Sequence, residues 1–218
     1  MTAWTPEGRA QAVDDILLRA PVLPVLSIER LDDAVPLARA LVEHGLPVLE
    51  VTLRTPVARA AIERIAREVP GAIVGAGTVL SAQDLVSVAD AGAVFAIAPG
   101  STDALYAAAE SSTIPFIPAI ATASELMRGL DAGHRRFKFY PAESAGGVGA
   151  LRAVAGTFAQ AKFCPTGGID ASKAPAYLAL PNVLTVGGSW MVPKSALDIG
   201  DWATIGSLAS ECTGLRNP

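Results

Sequence analysis

At 218 residues, 51% hydrophobic and with a formal net charge of −4, the chain can bury one substantial core and is too acidic for a nucleic-acid or anionic-membrane surface. Its two cysteines, Cys164 and Cys212, stand far apart. They match no metal-ligand spacing and argue against a disulfide-stapled secreted fold, so Cys164 reads as a small buried hydrophobe.

The first element reads as a helix. In "TPEGRAQAVDDILLRA", Thr5 is a cap, Pro6 lies in the first turn, and Val13, Ile16, Leu17 and Ala20 follow at helical spacing. This is not the pattern of a signal peptide, and no apolar run approaches membrane-spanning length, so a cytoplasmic protein is expected. Eight strand-like runs follow: "PVLPVLS", "PVLEVTL", "AIVGAGTV", "AVFAIAP", "IPFIPAI", "RFKFYP", "KFCPTGG" and "NVLTVGG". They are almost continuously apolar, as strands covered on both faces of a parallel sheet are. Helix signals lie between them. "TPVARAAIERIAREV" opens with Thr55–Pro56, "SAQDLVSVADAG" has Ser81 and Asp84 at capping distance and ends at Gly92, and "TASELMRGLDAG" has Thr122 and Glu125 as a capping box with Gly133 as its stop.

No linker or charge block divides the chain, so residues 1–218 are expected to form one α/β domain, a (β/α)₈ TIM barrel with an extra N-terminal helix over its N-terminal mouth. An open doubly wound sheet is the alternative, weakened because no G-x-G-x-x-G stands in the first turn.

Two strands carry charges that apolar runs do not need. Alternation in "RFKFYP" puts Phe137 and Phe139 on one face and Arg136, Lys138 and Tyr140 on the other. An inward Lys138 near the strand's C-terminal end stands where barrel enzymes keep their active sites. Desolvation disfavours the ammonium form, and a neutral amine can form a Schiff base with a ketone. A structural ion pair is the plainer reading. In "PVLEVTLRT" the same argument puts Val48, Glu50, Thr52 and Arg54 inward. Glu50 is then either the partner of Lys138 or a general acid/base. Arg54 suits a substrate carboxylate, which its guanidinium binds bidentately, or is a solvated loop arginine.

The seventh and eighth runs end in glycine: Thr166, Gly167 and Gly168 in one, Gly187, Gly188 and Ser189 in the other. Loops after these strands often hold phosphate in barrels, and glycine lets backbone N–H groups approach an anion. Thr78 and Pro99 stand at the ends of the third and fourth runs. His44 and His134 fall on or just after helices, where solvated positions are expected. Without clustered ligands, no metal or other cofactor is expected.

Together "VLEVTLRT", "VGAGTVL", "FAIAPG", "FKFYPAE", "FCPTGGI" and "GGSWMVP" resemble the bacterial 2-keto-3-deoxy-6-phosphogluconate (KDPG) aldolases, which share a family with 4-hydroxy-2-oxoglutarate aldolases. The resemblance runs from about Ile16 to Trp202. It implies a trimeric (β/α)₈ barrel and a metal-free class I aldolase that cleaves KDPG to pyruvate and glyceraldehyde 3-phosphate. It places the Schiff-base lysine at Lys138, the catalytic glutamate at Glu50, and pyruvate-binding groups at Arg54 and Thr78. It puts phosphate-binding groups at Gly167, Gly168 and Ser189, with Thr166 beside them; Pro99 and Gly188 complete the expected substrate site. Tyr140 stands where the family commonly has Phe, and Ala119 where it often has Gly. The alternatives are the same chemistry on 4-hydroxy-2-oxoglutarate or the galactonate epimer, or a non-catalytic barrel that binds a phosphorylated metabolite.

Overall fold

The computed structural model describes residues 4–215. Its strands are β1 (Val22–Leu26), β2 (Val48–Thr52), β3 (Ile73–Gly77), β4 (Ala96–Ile97), β5 (Phe116–Ile117), β6 (Ala119–Ile120), β7 (Arg136–Phe139), β8 (Lys162–Pro165) and β9 (Val186–Gly188). Helix α1 (Pro6–Leu17) precedes them. Helices α2 (Ala34–Glu43), α3 (Ala58–Glu68), α4 (Ala82–Asp90), α5 (Asp103–Glu110), α6 (Ala123–Asp131), α7 (Gly147–Ala155) and α8 (Ala174–Leu178) lie between strands, and α9 (Lys194–Ile199) and α10 (Trp202–Thr213) follow β9.

Every strand pairing is parallel, in the orders β5-β4-β3-β2-β1-β9 and β6-β7-β8. The two sheets meet at Pro118, which separates β5 from β6 and so turns one predicted strand into two. Proline has no N–H for the ladder, yet its carbonyl stays in use, accepting from Lys138 N at 2.9 Å. Parallel bridges Phe163–Val183 and Thr166–Gly187 lie between β8 and β9. The result is an α/β fold around a curled parallel sheet.

The two faces of the strands separate as alternation predicts. Leu49, Val51, Phe137 and Phe139 pack in the layer between sheet and helices. Leu23, Val48, Phe95, Ile97, Ile117, Cys164 and Leu184 pack together on the concave side, joined by Val13 and Leu17 of α1. Burying a leucine or valine stabilises by about 1.5–3 kcal/mol, so these two side chains seat α1 across the N-terminal ends of the strands. An ion pair reinforces the seat: Arg136, at the start of β7, donates to both oxygens of Asp14 at 2.5 Å.

Thr5 caps α1, Ser81 caps α4, and Thr122 with Glu125 forms the capping box of α6. Two boundaries differ from expectation. Helix α1 ends at Leu17, before Ala20, because Pro21 disfavours helical backbone just ahead of it. Helix α3 starts at Ala58 rather than at Thr55–Pro56, since the Thr55 hydroxyl donates to Ile28 O at 2.6 Å instead of capping. One of the two histidines is not solvated as expected. His134 is 1% exposed, wedged between the rings of Tyr106 and Phe116, and burial, helped by the Arg9 charge, pushes its pKa down to about 3. His44 is exposed, as expected, with Nδ1 2.7 Å from Ala40 O.

Candidate active site

Lys138 and Glu50 reach each other across the concave side of the sheet. Strand β7 carries Lys138 between β6 and β8, opposite Ala119 and Cys164, and β2 carries Glu50 between β1 and β3, opposite Val25 and Gly75. Lys138 Nζ donates to Glu50 Oε1 at 2.8 Å, with the side chains 7% and 0% exposed. The second oxygen, Oε2, is buried and has no protein hydrogen-bond partner among the described residues. Buried charges are tolerated only when paired; here one carboxylate oxygen is spent on the amine and the other is not.

Close packing makes room for this pair. A Cβ on Gly77, at the end of β3, would overlap the Glu50 carboxylate. The Tyr140 ring lies on the other side, its centroid 5.5 Å from Lys138 Nζ, and its edge borders Gly167. Cys164 is 1% exposed, and burial pushes its thiol up to about 12, which leaves it an inert wall. The Thr52 hydroxyl, also inward, is engaged by Leu26 O at 2.9 Å.

The other predicted residues ring the C-terminal strand ends. Arg54, just beyond β2, and Ser189, just beyond β9, are exposed and line the same cleft of about 500 Å³. Thr78 follows β3 with φ at +60°, an unfavourable conformation for a β-branched residue. Such strain persists only where surrounding structure enforces it, and it clusters at functional sites. Pro99 stands half-buried after β4. Thr166 is buried and bridged to Gly187, and Gly188 ends β9 against the Trp190 ring. Gly167 and Gly168 have φ of +108° and +78°, the region open mainly to glycine. Among the described residues, Thr78 and Pro99 make no hydrogen bond to Lys138 or Glu50; they share a rim with them rather than a network. The charged centre is thus one tight pair, with the remaining predicted groups spread around it.

Sequence reasoning overlooked Gly77. Its signal was present in "GAGTV", since glycine inside a strand marks a close approach by something else. Among the described residues, no three His, Cys, Asp or Glu side chains gather as metal ligands.

Fold and site together define an α/β protein that holds a buried amine–carboxylate pair beneath glycine turns at the C-terminal ends of parallel strands. The chain belongs to the KDPG and KHG aldolase family, whose model matches residues 13–208. The KHG/KDPG aldolase of Escherichia coli (strain K12) is 56% identical over 200 residues, covering 92% of this chain and 94% of that protein. The 2-dehydro-3-deoxy-phosphogluconate aldolase of Zymomonas mobilis is 50% identical over 204 residues, covering 94% and 96%. Among solved structures, KDPG aldolase from Legionella pneumophila, with pyruvate captured at low pH as a covalent carbinolamine intermediate, is 48% identical with a TM-score of 0.90. It matches 92% of this chain and 97% of its own. The Zymomonas mobilis ZM4 aldolase with 3-phosphoglycerate is also 48% identical, with a TM-score of 0.91 and coverage of 95% and 97%.

Proposed function

We propose that this protein is a class I aldolase that cleaves KDPG to pyruvate and glyceraldehyde 3-phosphate, with side activity on 4-hydroxy-2-oxoglutarate. The observation that carries the reading is the buried 2.8 Å contact between Lys138 and Glu50. A nucleophilic amine sits beside a carboxylate that still has an unengaged oxygen, and relatives named KDPG aldolase match nearly the whole chain.

In this mechanism Lys138 passes a proton to Glu50 and its neutral amine attacks the C2 ketone, forming a carbinolamine. Glu50 returns a proton to the C2 hydroxyl, water leaves, and an iminium remains. The C4 hydroxyl then gives its proton to the Glu50 carboxylate, the C3–C4 bond breaks, and its electron pair moves into the iminium to give an enamine. Glyceraldehyde 3-phosphate departs as the aldehyde. Protonation of the enamine carbon through Glu50, then hydrolysis, releases pyruvate and restores the amine. The protonated imine is the electron sink, so the reading involves no metal or other cofactor.

Arg54 and Thr78 hold the pyruvyl carboxylate in this reading, with Pro99 against the same end of the substrate. Thr166, Gly167, Gly168, Gly188 and Ser189 surround the phosphate. Support for the phosphate end comes from backbone geometry: the N–H groups of Gly167, Gly168 and Ile169 donate to no protein acceptor among the described residues, as in anion-binding turns. We also infer that residues 1–218 form one domain and that the nine strands act as an eight-stranded barrel, with β5 and β6 as one interrupted strand. The bridges between β8 and β9 support closure. The family resemblance supports a homotrimer, which sedimentation of the purified chain tests, and a cytoplasmic setting. No helix of the described residues is long and apolar enough to cross a membrane.

The test is borohydride reduction in the presence of pyruvate, followed by peptide mass mapping. A reduced pyruvate adduct on Lys138 is expected. An adduct only on another lysine overturns the assignment, and no pyruvate-dependent adduct favours a non-catalytic binding barrel.

A further inference from the structure

The turn after β8 is gripped on one side only. Three consecutive carbonyls, those of Thr166, Gly167 and Gly168, accept hydrogen bonds from Ala142 N at 2.8 Å, Glu143 N at 3.1 Å and Lys173 Nζ at 2.8 Å. A trans peptide is planar, with its C=O and N–H on opposite sides. Holding those three carbonyls therefore aims the N–H groups of Gly167, Gly168 and Ile169 the other way. The first two grips are backbone bonds from the segment that follows Lys138. The third depends on one side chain.

Lys173 is held in turn. Its Nζ lies 2.9 Å from Glu143 Oε2, and the buried Tyr177 of α8 donates its hydroxyl to Glu143 Oε1 at 2.5 Å. Glu143 also lies directly under the turn, since a Cβ on Gly168 would stand 2.8 Å from Glu143 Cγ. The Tyr177 hydroxyl, and after it the Lys173 ammonium, keep Glu143 below the usual carboxylate range, and Glu143 raises Lys173.

We infer that Lys173 is a positioning residue, clamped by Glu143 and Tyr177, that turns the Gly168–Ile169 peptide so that the Ile169 N–H becomes a donor to the substrate's phosphate. This rests on the reading of the glycine turn as the phosphate site. Lys173 acts through the backbone it holds and not as a counter-charge, because its own charge is matched by Glu143. The two roles make opposite predictions for Glu143. Removing that carboxylate by Glu143→Gln frees the ammonium. It tightens phosphate binding if Lys173 is a counter-charge, and weakens it if Lys173 is a clamped positioner.

The experiment measures kcat and KM on KDPG and on unphosphorylated 4-hydroxy-2-oxoglutarate for Lys173→Met, Lys173→Arg, Glu143→Gln, Tyr177→Phe and, as a positive control, Gly168→Val. Lys173→Met is expected to raise KM for KDPG roughly tenfold, the scale of one charge-assisted hydrogen bond. Its kcat and its 4-hydroxy-2-oxoglutarate kinetics should change less than about twofold. Lys173→Arg should recover most of the loss, since it still reaches the carbonyl and pairs with the carboxylate. Glu143→Gln and Tyr177→Phe should raise KM in the same direction. Lys173 lies at the surface, so its variants report even if Tyr177→Phe is unstable. A lower KDPG KM in Glu143→Gln, or parallel losses on both substrates in Lys173→Met, overturns the inference. If Gly168→Val raises the KDPG KM and Lys173→Met does not, the positioning role alone fails. If neither does, the phosphate reading beneath it fails as well.

Discussion

Gly77→Ala tests whether the Glu50 carboxylate must stand where the fold puts it. A Cβ at this position would lie 2.7 Å from Glu50 Cγ and 2.8 Å from Cδ, and would overlap Oε1. Ordinary carbon–carbon contact is about 3.5–4.0 Å, so the carboxylate must retreat by roughly 0.8 Å. Because Oε1 also accepts from Lys138 at 2.8 Å, a displacement of this size is enough to carry that bond to as much as about 3.6 Å, beyond hydrogen-bond range. Gly77 sits in a strand at ordinary φ, so alanine carries no backbone strain there and slightly lowers the entropy lost on folding. Misplacement of a reacting group on this scale costs about 10²-fold. We expect kcat on KDPG to fall by roughly that factor, with imine trapping by borohydride slowed as well. Gly149→Ala is the control, because nothing lies within 4 Å of a Cβ there. The assay couples pyruvate release to a dehydrogenase, with circular dichroism confirming the fold. A folded Gly77→Ala enzyme with normal turnover refutes the reasoning, since Glu50 would then tolerate displacement and could not be the proton carrier.

Three further outcomes are expected. Glu50→Gln keeps the shape of the side chain and removes its proton affinity, so kcat should fall about 10²–10⁴-fold with little change in substrate binding; near-normal turnover demotes Glu50 to a structural partner of Lys138. Gly168→Val places a branched side chain at a φ of +78° and should lower kcat/KM for KDPG by roughly 10²-fold. Exchange of pyruvate methyl protons, followed by NMR, should survive, and joint loss of both activities removes support for the phosphate turn. His134 shows in stability rather than rate. Its folded pKa of about 3 lies below the ordinary 6.5 of a free imidazole, so the unfolded state takes up the proton first. The stabilisation is then present above pH 6.5 and fades as pH falls toward 3, by about 1.4 kcal/mol per unit. Urea unfolding at pH 7 and 4.5 should show a steeper loss for the native chain than for His134→Phe; equal slopes contradict the buried neutral imidazole.

Much of this protein is local in origin. Apolar runs of strand length, capping residues such as Ser81 and the Thr122–Glu125 box, and period-two alternation through Glu50 and Lys138 depend on neighbours along the chain. They are legible in the sequence, as is the inward direction of both charged side chains. The family motifs added which residues to join. Other features required parts of the chain that are remote in sequence. Thr55 left its capping role because Ile28 O lay within reach, and His134 lost solvent because Tyr106 and Phe116 close around it. Nothing near Gly77 in sequence says that a carboxylate from β2 fills the space where its side chain would be. Likewise, Lys173 and Tyr177 carry no motif, and although Glu143 closes "FKFYPAE", its connection to them exists only once β7 and β8 lie side by side. Alternation sets the direction in which a side chain points, because it follows from the geometry of one strand. The group it meets depends on register between strands that are far apart in the chain, and packing of the whole molecule selects that register.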